Sequence, residues 1–285
     1  MKSTIILYHA NCPDGFSAAW AAWKKLKNKA DYLPVEHQTP PPQGLEGKMI
    51  YMLDFAYPPN IIQDLAEKNE KIVVIDHHTS AYASIISLIR ANKGYKNIEA
   101  IEESKSSGAV LAWQYFHSKK PLPQIIKYVE DGDLWKFNLP HAKEILAVID
   151  DENHNFASWD KLAKKLENTK TRKEIIKKGS IIVKHKKRTI GRLVSKAKDV
   201  KLAGYKAKVV NSPIFPSEIG NELISHGADV GIIWYDDNKK IKVSLRSKSS
   251  GKVNVAKIAE KFGGGGHKAA ASFRIPKDTK LPWEK

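Results

Sequence analysis

The chain of 285 residues contains one cysteine, Cys12, and no long apolar run. A single cysteine excludes an intramolecular disulfide, and no signal-peptide pattern opens the sequence, so an intracellular, cytoplasmic protein is expected. The apolar runs are far below the roughly 18 residues that a membrane-spanning helix needs, so no membrane segment is predicted. Walker-type phosphate loops, dinucleotide fingerprints and Gly-x-Ser-x-Gly elbows are also absent, which removes the function classes that they mark.

Acidic residues are outnumbered: 48 Lys and Arg stand against 31 Asp and Glu, a formal net charge of +17. An excess of this size favours a polyanionic partner such as nucleic acid, nucleotides or polyphosphate. Charge alone leaves two alternatives open, an anionic membrane and a lysine-rich surface that serves only solubility.

Short apolar strands alternate with helical segments in the first part of the chain. A strand at Thr4–Tyr8 precedes an alanine-rich helical segment, and strands ending at Asp54 and Asp76 flank a helix predicted over 59–70. This alternation predicts an α/β fold with a mostly parallel sheet flanked by helices.

The domain organisation follows from a change of pattern along the chain. Residues 1–180 are assigned to the α/β domain, where helical signals replace strand signals beyond about residue 107. The basic, amphipathic segment around 181–201 is predicted to be a helical linker. Residues 202–285 mix strands and helices and predict a smaller α+β domain.

Metal-binding residue types follow three predicted strands. These residues are His9, Asp14, Asp54, Asp76, His77 and His78. Because the carboxyl ends of neighbouring parallel strands open into one crevice, these side chains are expected to converge. Carboxylates and imidazoles suit manganese, magnesium, zinc or iron, and a carboxylate between two cations can bridge them in a site for phosphoester hydrolysis.

Ordered motifs give this pattern a family resemblance. The motifs are His-x-Asn-Cys-Pro-Asp-Gly at 9–15, Asp54, Asp-His-His at 76–78 and Asp-Gly-Asp-Leu-Trp at 131–135. Together they resemble the motifs of the DHH phosphoesterase superfamily, in particular the bacterial and phage branch of nanoRNases and oligonucleotide phosphodiesterases. The C-terminal part resembles the DHH-associated domain through Ser-Leu-Arg-Ser at 244–247 and Phe-Gly-Gly-Gly-Gly-His at 262–267.

The resemblance implies a centre of two manganese ions, with magnesium or cobalt as substitutes. It implies that His9 and Asp14 bind one ion, that Asp54 bridges, and that His77 and Asp131 bind the other. His78 would contact the scissile phosphate. Asp76 is expected to orient an imidazole, and His78 and Asp76 are both assigned to catalysis.

One position departs from the family pattern, because Phe16 stands where a second aspartate is common. The second cation site is therefore expected to lack one ligand, which water, Asn11 or Asp133 could replace. Asp131 and Asp133 could instead form a helix-ending turn with solvated carboxylates. Cys12 has no identifiable base and is interpreted as a bystander thiol.

The C-terminal domain is expected to bind the substrate. Arg246 can bind a phosphate with two hydrogen bonds, and the glycine run either lets backbone N–H groups approach a phosphate or only permits tight turns. The resemblance implies that this domain faces the metal cleft. The expected substrate-binding residues are Arg246, Ser247, Gly264, Gly265, Gly266 and His267.

The resulting hypothesis is a manganese-dependent phosphodiesterase that hydrolyses short oligoribonucleotides or dinucleotides to mononucleotides with metal-activated water. One alternative is a phosphoanhydride hydrolase of the exopolyphosphatase or pyrophosphatase type. The other is a nucleic-acid-binding protein whose catalytic site has decayed at Phe16. The expected partner is short RNA or a nucleotide, no membrane is involved, and the sequence leaves a homo-oligomer open.

Overall fold

The structure, a computed structural model, describes residues 1–36, 39–91 and 95–284. It divides into two units, Met1–Val183 and Lys184–Lys285. The first is a parallel sheet flanked by helices and the second is a mixed sheet with helices, so the predicted α/β fold class is confirmed. None of the helices within these described ranges is both long enough and apolar enough to cross a membrane.

The first unit contains a parallel sheet with the strand order β2-β1-β3-β4-β5. Its strands are β1 Thr4–His9, β2 Ala30–Val35, β3 Met49–Leu53, β4 Lys71–Ile75 and β5 Ile98–Ile101. The inner strands are almost wholly apolar because both of their faces are buried. Strand β2 lies on one side of β1 and strand β3 lies on the other. The connections from β1 to β2 and from β2 to β3 therefore run in opposite directions across the sheet. In open α/β sheets, ligands bind at such a switch point.

Helices cover both faces of this sheet. They are α1 Pro13–Leu26, α2 Pro59–Lys68, α3 Thr79–Ala91, α4 Gly108–His117, α5 Gln124–Asp133, α6 Ala142–Asp150, α7 Phe156–Glu167 and α8 Thr169–Val194. Successive strand residues face opposite sides, so Ile6 packs in one core cluster and Ile5 and Leu7 in the other. The alanines of α1 are buried and allow α4 to approach it closely.

The second unit has a six-stranded sheet with the order β10-β11-β9-β8-β7-β6. Its strands are β6 Lys198–Leu202, β7 Tyr205–Asn211, β8 Val230–Asp236, β9 Lys240–Arg246, β10 Gly265–His267 and β11 Ala270–Pro276, with helices α9 Pro216–Ser225 and α10 Val255–Glu260. The β8–β9 hairpin turns at Asp237 and Asn238, where Asp237 accepts hydrogen bonds from two backbone N–H groups.

Two regions differ from the sequence expectations. The units divide inside α8, and residues 198–202, mostly assigned to the linker, form β6 on the edge of the second sheet. Helix α3 and strand β5 were not expected from the sequence. Strand β5 is only four residues long and contains Glu99, so its apolar pattern is weak.

Candidate metal centre

The expected ligands meet at the carboxyl edge of the first sheet. His9 is the last residue of β1, Asp54 directly follows β3 and Asp76 directly follows β4. The backbone ladder continues one residue past the strands, because the N–H of Asp54 donates to Ile75 O at 2.9 Å and that of Asp76 donates to Ile101 O at 3.1 Å. These bonds fix where the side chains leave the sheet.

Asp54 lies at the middle of the site. Its Oδ2 is 3.3 Å from His9 Nδ1, and its Oδ1 is 3.4 Å from His77 Nε2. Its backbone has φ of +62°, a conformation that is uncommon outside glycine and is often found at functional sites. Burial alone would raise the pKa of Asp54, but hydrogen bonds from His77 and His9 hold it well below its ordinary value. The site therefore has an ionised carboxylate between two imidazoles.

Asp14 reaches the same site from the first turn of α1. Its carboxylate accepts hydrogen bonds from the N–H groups of Gly108 at 2.7 Å and Ala109 at 3.0 Å, at the start of α4. A Cβ added at Gly108 would lie 2.7 Å from Asp54 Cβ, so only glycine fits there. Burial, with the charges of Asp54 and Asp133, raises the pKa of Asp14 well above its ordinary value. A bound cation would relieve this repulsion.

Asp133 supplies a further carboxylate. Its Oδ2 is 3.6 Å from His77 Nε2, and its side chain is 27% exposed. Desolvation, together with the charge of Asp54, raises the pKa of Asp133 to about 6. The sequence predicts Asp133 only as a replacement ligand or as part of a helix-ending turn.

Three groups of side chains in the described part of the chain have ligand atoms within 4.8 Å of one another. The first contains His9, Cys12 and Asp54; the second contains Asp14, His77 and Asp133; the third contains Asp54, Asp76, His77 and His78. Oxygen and nitrogen donors predominate, and Asp54 belongs to two groups, so the donor set fits a pair of divalent cations.

Asp131 does not occupy the ligand position expected for it. Its two carboxylate oxygens accept hydrogen bonds from the N–H groups of Asn138 at 2.9 Å and Leu139 at 3.0 Å. Residues two apart on a helix point in different directions, so Asp131 and Asp133 of α5 cannot both face the site. Asp133 therefore lies among the candidate ligands, whereas Asp131 accepts hydrogen bonds from the backbone of the loop that follows α5.

The grouping of the other ligands also differs from the expectation. His9 lies with Cys12 rather than with Asp14, which lies with His77 and Asp133. Phe16 is buried, 4.8 Å from His154 and 5.1 Å from Phe156 between ring centroids in stacked geometry. Phe16 packs with these rings and lies in none of the three groups of candidate ligands. Cys12, which lies in the group with His9 and Asp54, differs chemically from the carboxylates and imidazoles around it.

Asp76 and His78 form a pair, as expected from the sequence. Asp76 Oδ1 lies 2.7 Å from His78 Nδ1 and also accepts the backbone N–H of His78 at 3.3 Å. Although burial opposes the charged imidazole, the hydrogen bond and charge of Asp76 raise the pKa of His78 to about 9. A protonated His78 is suited to donate a charge-assisted hydrogen bond to an anion.

Replacing Asp76 with Asn should lower the pKa of His78 by about one to three units, because the opposite charge that stabilises the imidazolium is removed. In the wild-type protein His78 should stay protonated until the pH rises through about 9. NMR titration of the metal-free proteins measures this directly, and His154, stacked on Phe16, is an internal control. Equal His78 titration in both proteins would contradict the assigned pairing.

In the second unit, Arg246 ends β9 with its guanidinium held in place. Its Nη2 donates to Ser217 Oγ at 2.7 Å and its Nη1 donates to Leu245 O at 2.9 Å. Gly220 of α9 leaves room for it, since an added Cβ would lie 2.5 Å from Arg246 Cγ. A guanidinium has five N–H donors, so this anchoring is compatible with binding an anion.

Half of the expected substrate-binding residues have structural roles. The buried Ser247 hydroxyl lies 3.2 Å from Val253 O and 3.3 Å from Lys268 O. Gly264 and Gly266 allow β10 to pack against β11, because an added Cβ would lie 2.1 Å from Ser272 O and 2.5 Å from Ala270 O, respectively.

Gly265 and His267 remain as candidates for substrate binding, with Arg246. Both lie on β10 at the edge of the sheet, where a Cβ added to Gly265 would meet nothing within 4 Å and His267 is exposed.

Comparisons with known proteins agree with this architecture. Residues 212–282 match the family model of the DHHA1 domain. The uncharacterized protein R106 of Acanthamoeba polyphaga mimivirus is 27% identical, with 94% of this chain and 66% of that protein covered. The chain thus spans slightly less than two thirds of the length of this curated relative.

Solved structures share the fold at low identity. An exopolyphosphatase-related protein from Bacteroides fragilis is 15% identical, with a TM-score of 0.57 and coverage of 98% of this chain and 88% of that one. RecJ from Thermus thermophilus, solved in complex with Mn²⁺, is 14% identical, with a TM-score of 0.54 and coverage of 96% of this chain and 50% of that one.

The fold places a cluster of His and Asp side chains, a donor set that fits divalent cations, at the carboxyl edge of a parallel sheet. The match to the DHHA1 domain model covers residues 212–282 of the C-terminal unit, and the two solved structures share the fold of the chain. The two TM-scores are similar, so the fold alone does not indicate a substrate.

Proposed function

We propose that the protein is a metal-dependent phosphodiesterase that hydrolyses short oligoribonucleotides or dinucleotides to mononucleotides, with manganese as a cofactor. The observation that carries this proposal is the ionised Asp54 between His9 and His77, with further carboxylates at the carboxyl edge of the sheet. The net charge of +17 supports a polyanionic substrate.

The side chains have separate tasks in this reaction. Two bound cations would neutralise phosphate charge and activate water. Asp54 would contact both cations, His9 would hold the first, and Asp14, His77 and Asp133 would hold the second. His78, kept protonated by Asp76, would donate a hydrogen bond to a phosphate oxygen and stabilise the negative charge that develops there.

The loop after Asp133 favours a nucleotide over a phosphoanhydride substrate. Trp135, two residues beyond this ligand, is 48% exposed, an unusual position for a large aromatic ring. Its ring packs edge-on against Phe137 at 4.9 Å between centroids, and the loop is tied down by the carboxylate and carbonyl of Asp131. An exposed indole two residues beyond a candidate ligand is suited to stack on a base of the substrate.

Replacing Trp135 with Ala should lower kcat/KM for an RNA dinucleotide by roughly 5-fold to 150-fold, because base stacking on an aromatic side chain contributes about 1–3 kcal/mol. Trp135→Phe should retain most of the activity. Hydrolysis of tripolyphosphate, which has no base, should be the same in all three proteins if it occurs. Steady-state kinetics decide the point, and an equal loss on both substrates would refute base stacking.

In the second unit, Arg246, Gly265 and His267 are proposed to bind a phosphate or a terminal nucleotide of the substrate. Replacing Arg246 with Ala should raise KM about tenfold or more, since a charge-assisted hydrogen bond contributes about 1.5–3 kcal/mol. A fall in kcat at unchanged KM would instead indicate a role in the chemical step. Circular dichroism of the variant checks that loss of the Ser217 contact leaves the fold intact.

A substrate panel tests the proposed function as a whole. Purified protein with manganese is assayed on an RNA dinucleotide, a longer RNA, a cyclic dinucleotide and polyphosphate. Release of mononucleotides from the short RNA is the expected result. Phosphate released from polyphosphate alone would move the assignment to an exopolyphosphatase or pyrophosphatase, and salt-sensitive binding without turnover would indicate a binding protein.

A further inference from the structure

Cys12 lies in one of the three groups of candidate ligands. It is the N-cap of α1, in extended backbone conformation, and its sulfur belongs to the group with His9 and Asp54 whose ligand atoms lie within 4.8 Å of one another. In a tetrahedral site, metal bond lengths of about 2.0–2.3 Å place ligand atoms roughly 3.3–3.6 Å apart. His9 Nδ1 and Asp54 Oδ2 already have a separation of 3.3 Å. A small movement of the sulfur would complete three ligands.

The two halves of the centre differ in donor chemistry. The group of Asp14, His77 and Asp133 offers only oxygen and nitrogen, whereas the group of His9, Cys12 and Asp54 adds a sulfur. Thiolates select softer cations such as zinc and iron, whereas carboxylates and water suit magnesium and manganese. A bond from the Cys12 sulfur would thus make the two cation positions differ in the metal that they prefer.

We propose that Cys12 is a ligand of the cation held by His9 and Asp54, and that this position therefore prefers zinc, iron(II) or cobalt to manganese. On binding, the thiol releases its proton to solvent and a sulfur lone pair forms the metal–sulfur bond. The inference rests on the metal centre of the proposed function but not on its substrate. A protein with this site would hold a thiolate-bound cation beside a second cation bound only by oxygen and nitrogen.

Cobalt(II) tests the proposal without any assay of activity. The full chain, freed of metal and kept reduced by a phosphine, is titrated with cobalt(II) while the absorption spectrum and the amount of bound cobalt are recorded. Because the chain has one cysteine, a near-ultraviolet sulfur-to-cobalt charge-transfer band can come only from Cys12. The expected result is one such band per chain, absent in Cys12→Ser although cobalt still binds at the other position.

Metal competition gives a second measurement. In Cys12→Asp, which introduces a hard oxygen donor, the affinity of this position for zinc relative to manganese should fall about tenfold or more. Cobalt bound by the wild-type protein without the charge-transfer band would overturn the role of Cys12 and leave the metal centre standing. If no cobalt bound at all, both this inference and the proposed function would be lost.

Discussion

Replacing Asp54 with Asn is expected to lower the rate of phosphodiester hydrolysis by about a thousandfold or more. Within the part of the chain that the structure describes, Asp54 is the carboxylate with one oxygen near His9 and the other near His77, so in the proposed function its charge would contact both cations. Metal ions contribute several kcal/mol to the stabilisation of a phosphoryl transition state, and each 1.4 kcal/mol or so corresponds to a factor of ten in rate. Kinetics on the RNA dinucleotide with saturating manganese measure the loss.

The same variant separates lost chemistry from lost structure. Asn removes a charge that repels Asp14 and Asp133, but it also removes the ionised carboxylate that His9 and His77 stabilise in the folded protein. The metal-free variant should therefore melt lower than the wild-type protein, and the response of each protein to manganese is the informative comparison. Manganese should raise the melting temperature of the wild-type protein and not that of the variant. Asp64→Asn, on the exposed face of α2, is the matched control. Full activity in Asp54→Asn would show that the metal site is misassigned.

The pattern of the sequence was sufficient to predict the sheet and the edge at which the candidate ligands meet. Buried parallel strands have a strong signature, continuous apolar residues ending in polar ones, and the parallel arrangement requires that such ends share one edge. His9, Asp54 and His77 were located in this way. The signal is independent of the helices, so missing α3 and β5 did not affect it.

Side-chain direction is the information that the sequence did not provide. Residues 131 and 133 are both aspartates, and only the rotation of α5 about its axis decides which of the two side chains faces the site. Cys12 was similarly ambiguous, because its distance from His9 depends on the turn between β1 and α1 rather than on sequence spacing.

The glycine run shows the same difficulty in the second unit. Glycine is required either where a ligand approaches the backbone or where another strand does. Gly264 and Gly266 meet the carbonyls of β11, whereas Gly265 between them meets nothing within 4 Å of a built Cβ. Two glycines of this segment thus pack closely against β11, whereas Gly265 has open space where a side chain would lie, and only the register of β10 against β11 separates the two cases.

The pair Asp131→Asn and Asp133→Asn should have opposite effects, which makes them controls for each other. In Asp131→Asn, an amide NH₂ would face the backbone N–H of Asn138 or Leu139, leaving a buried donor unsatisfied. We expect a cost of about 1–3 kcal/mol, which for a protein of this size lowers the melting temperature by several degrees. Manganese affinity should change little.

In Asp133→Asn the fold should keep its stability, because the lost carboxylate is partly exposed and is repelled by Asp54. Manganese affinity should fall about tenfold or more, since a ligand to one cation is removed. Thermal melting and manganese titration of both variants test this: Asp131→Asn should lose stability but not manganese affinity, and Asp133→Asn should lose manganese affinity but not stability. A general loss of structure cannot produce both results. Retained melting temperature with lost manganese binding in Asp131→Asn would restore Asp131 as the ligand, and Asp133 would then have only a supporting role.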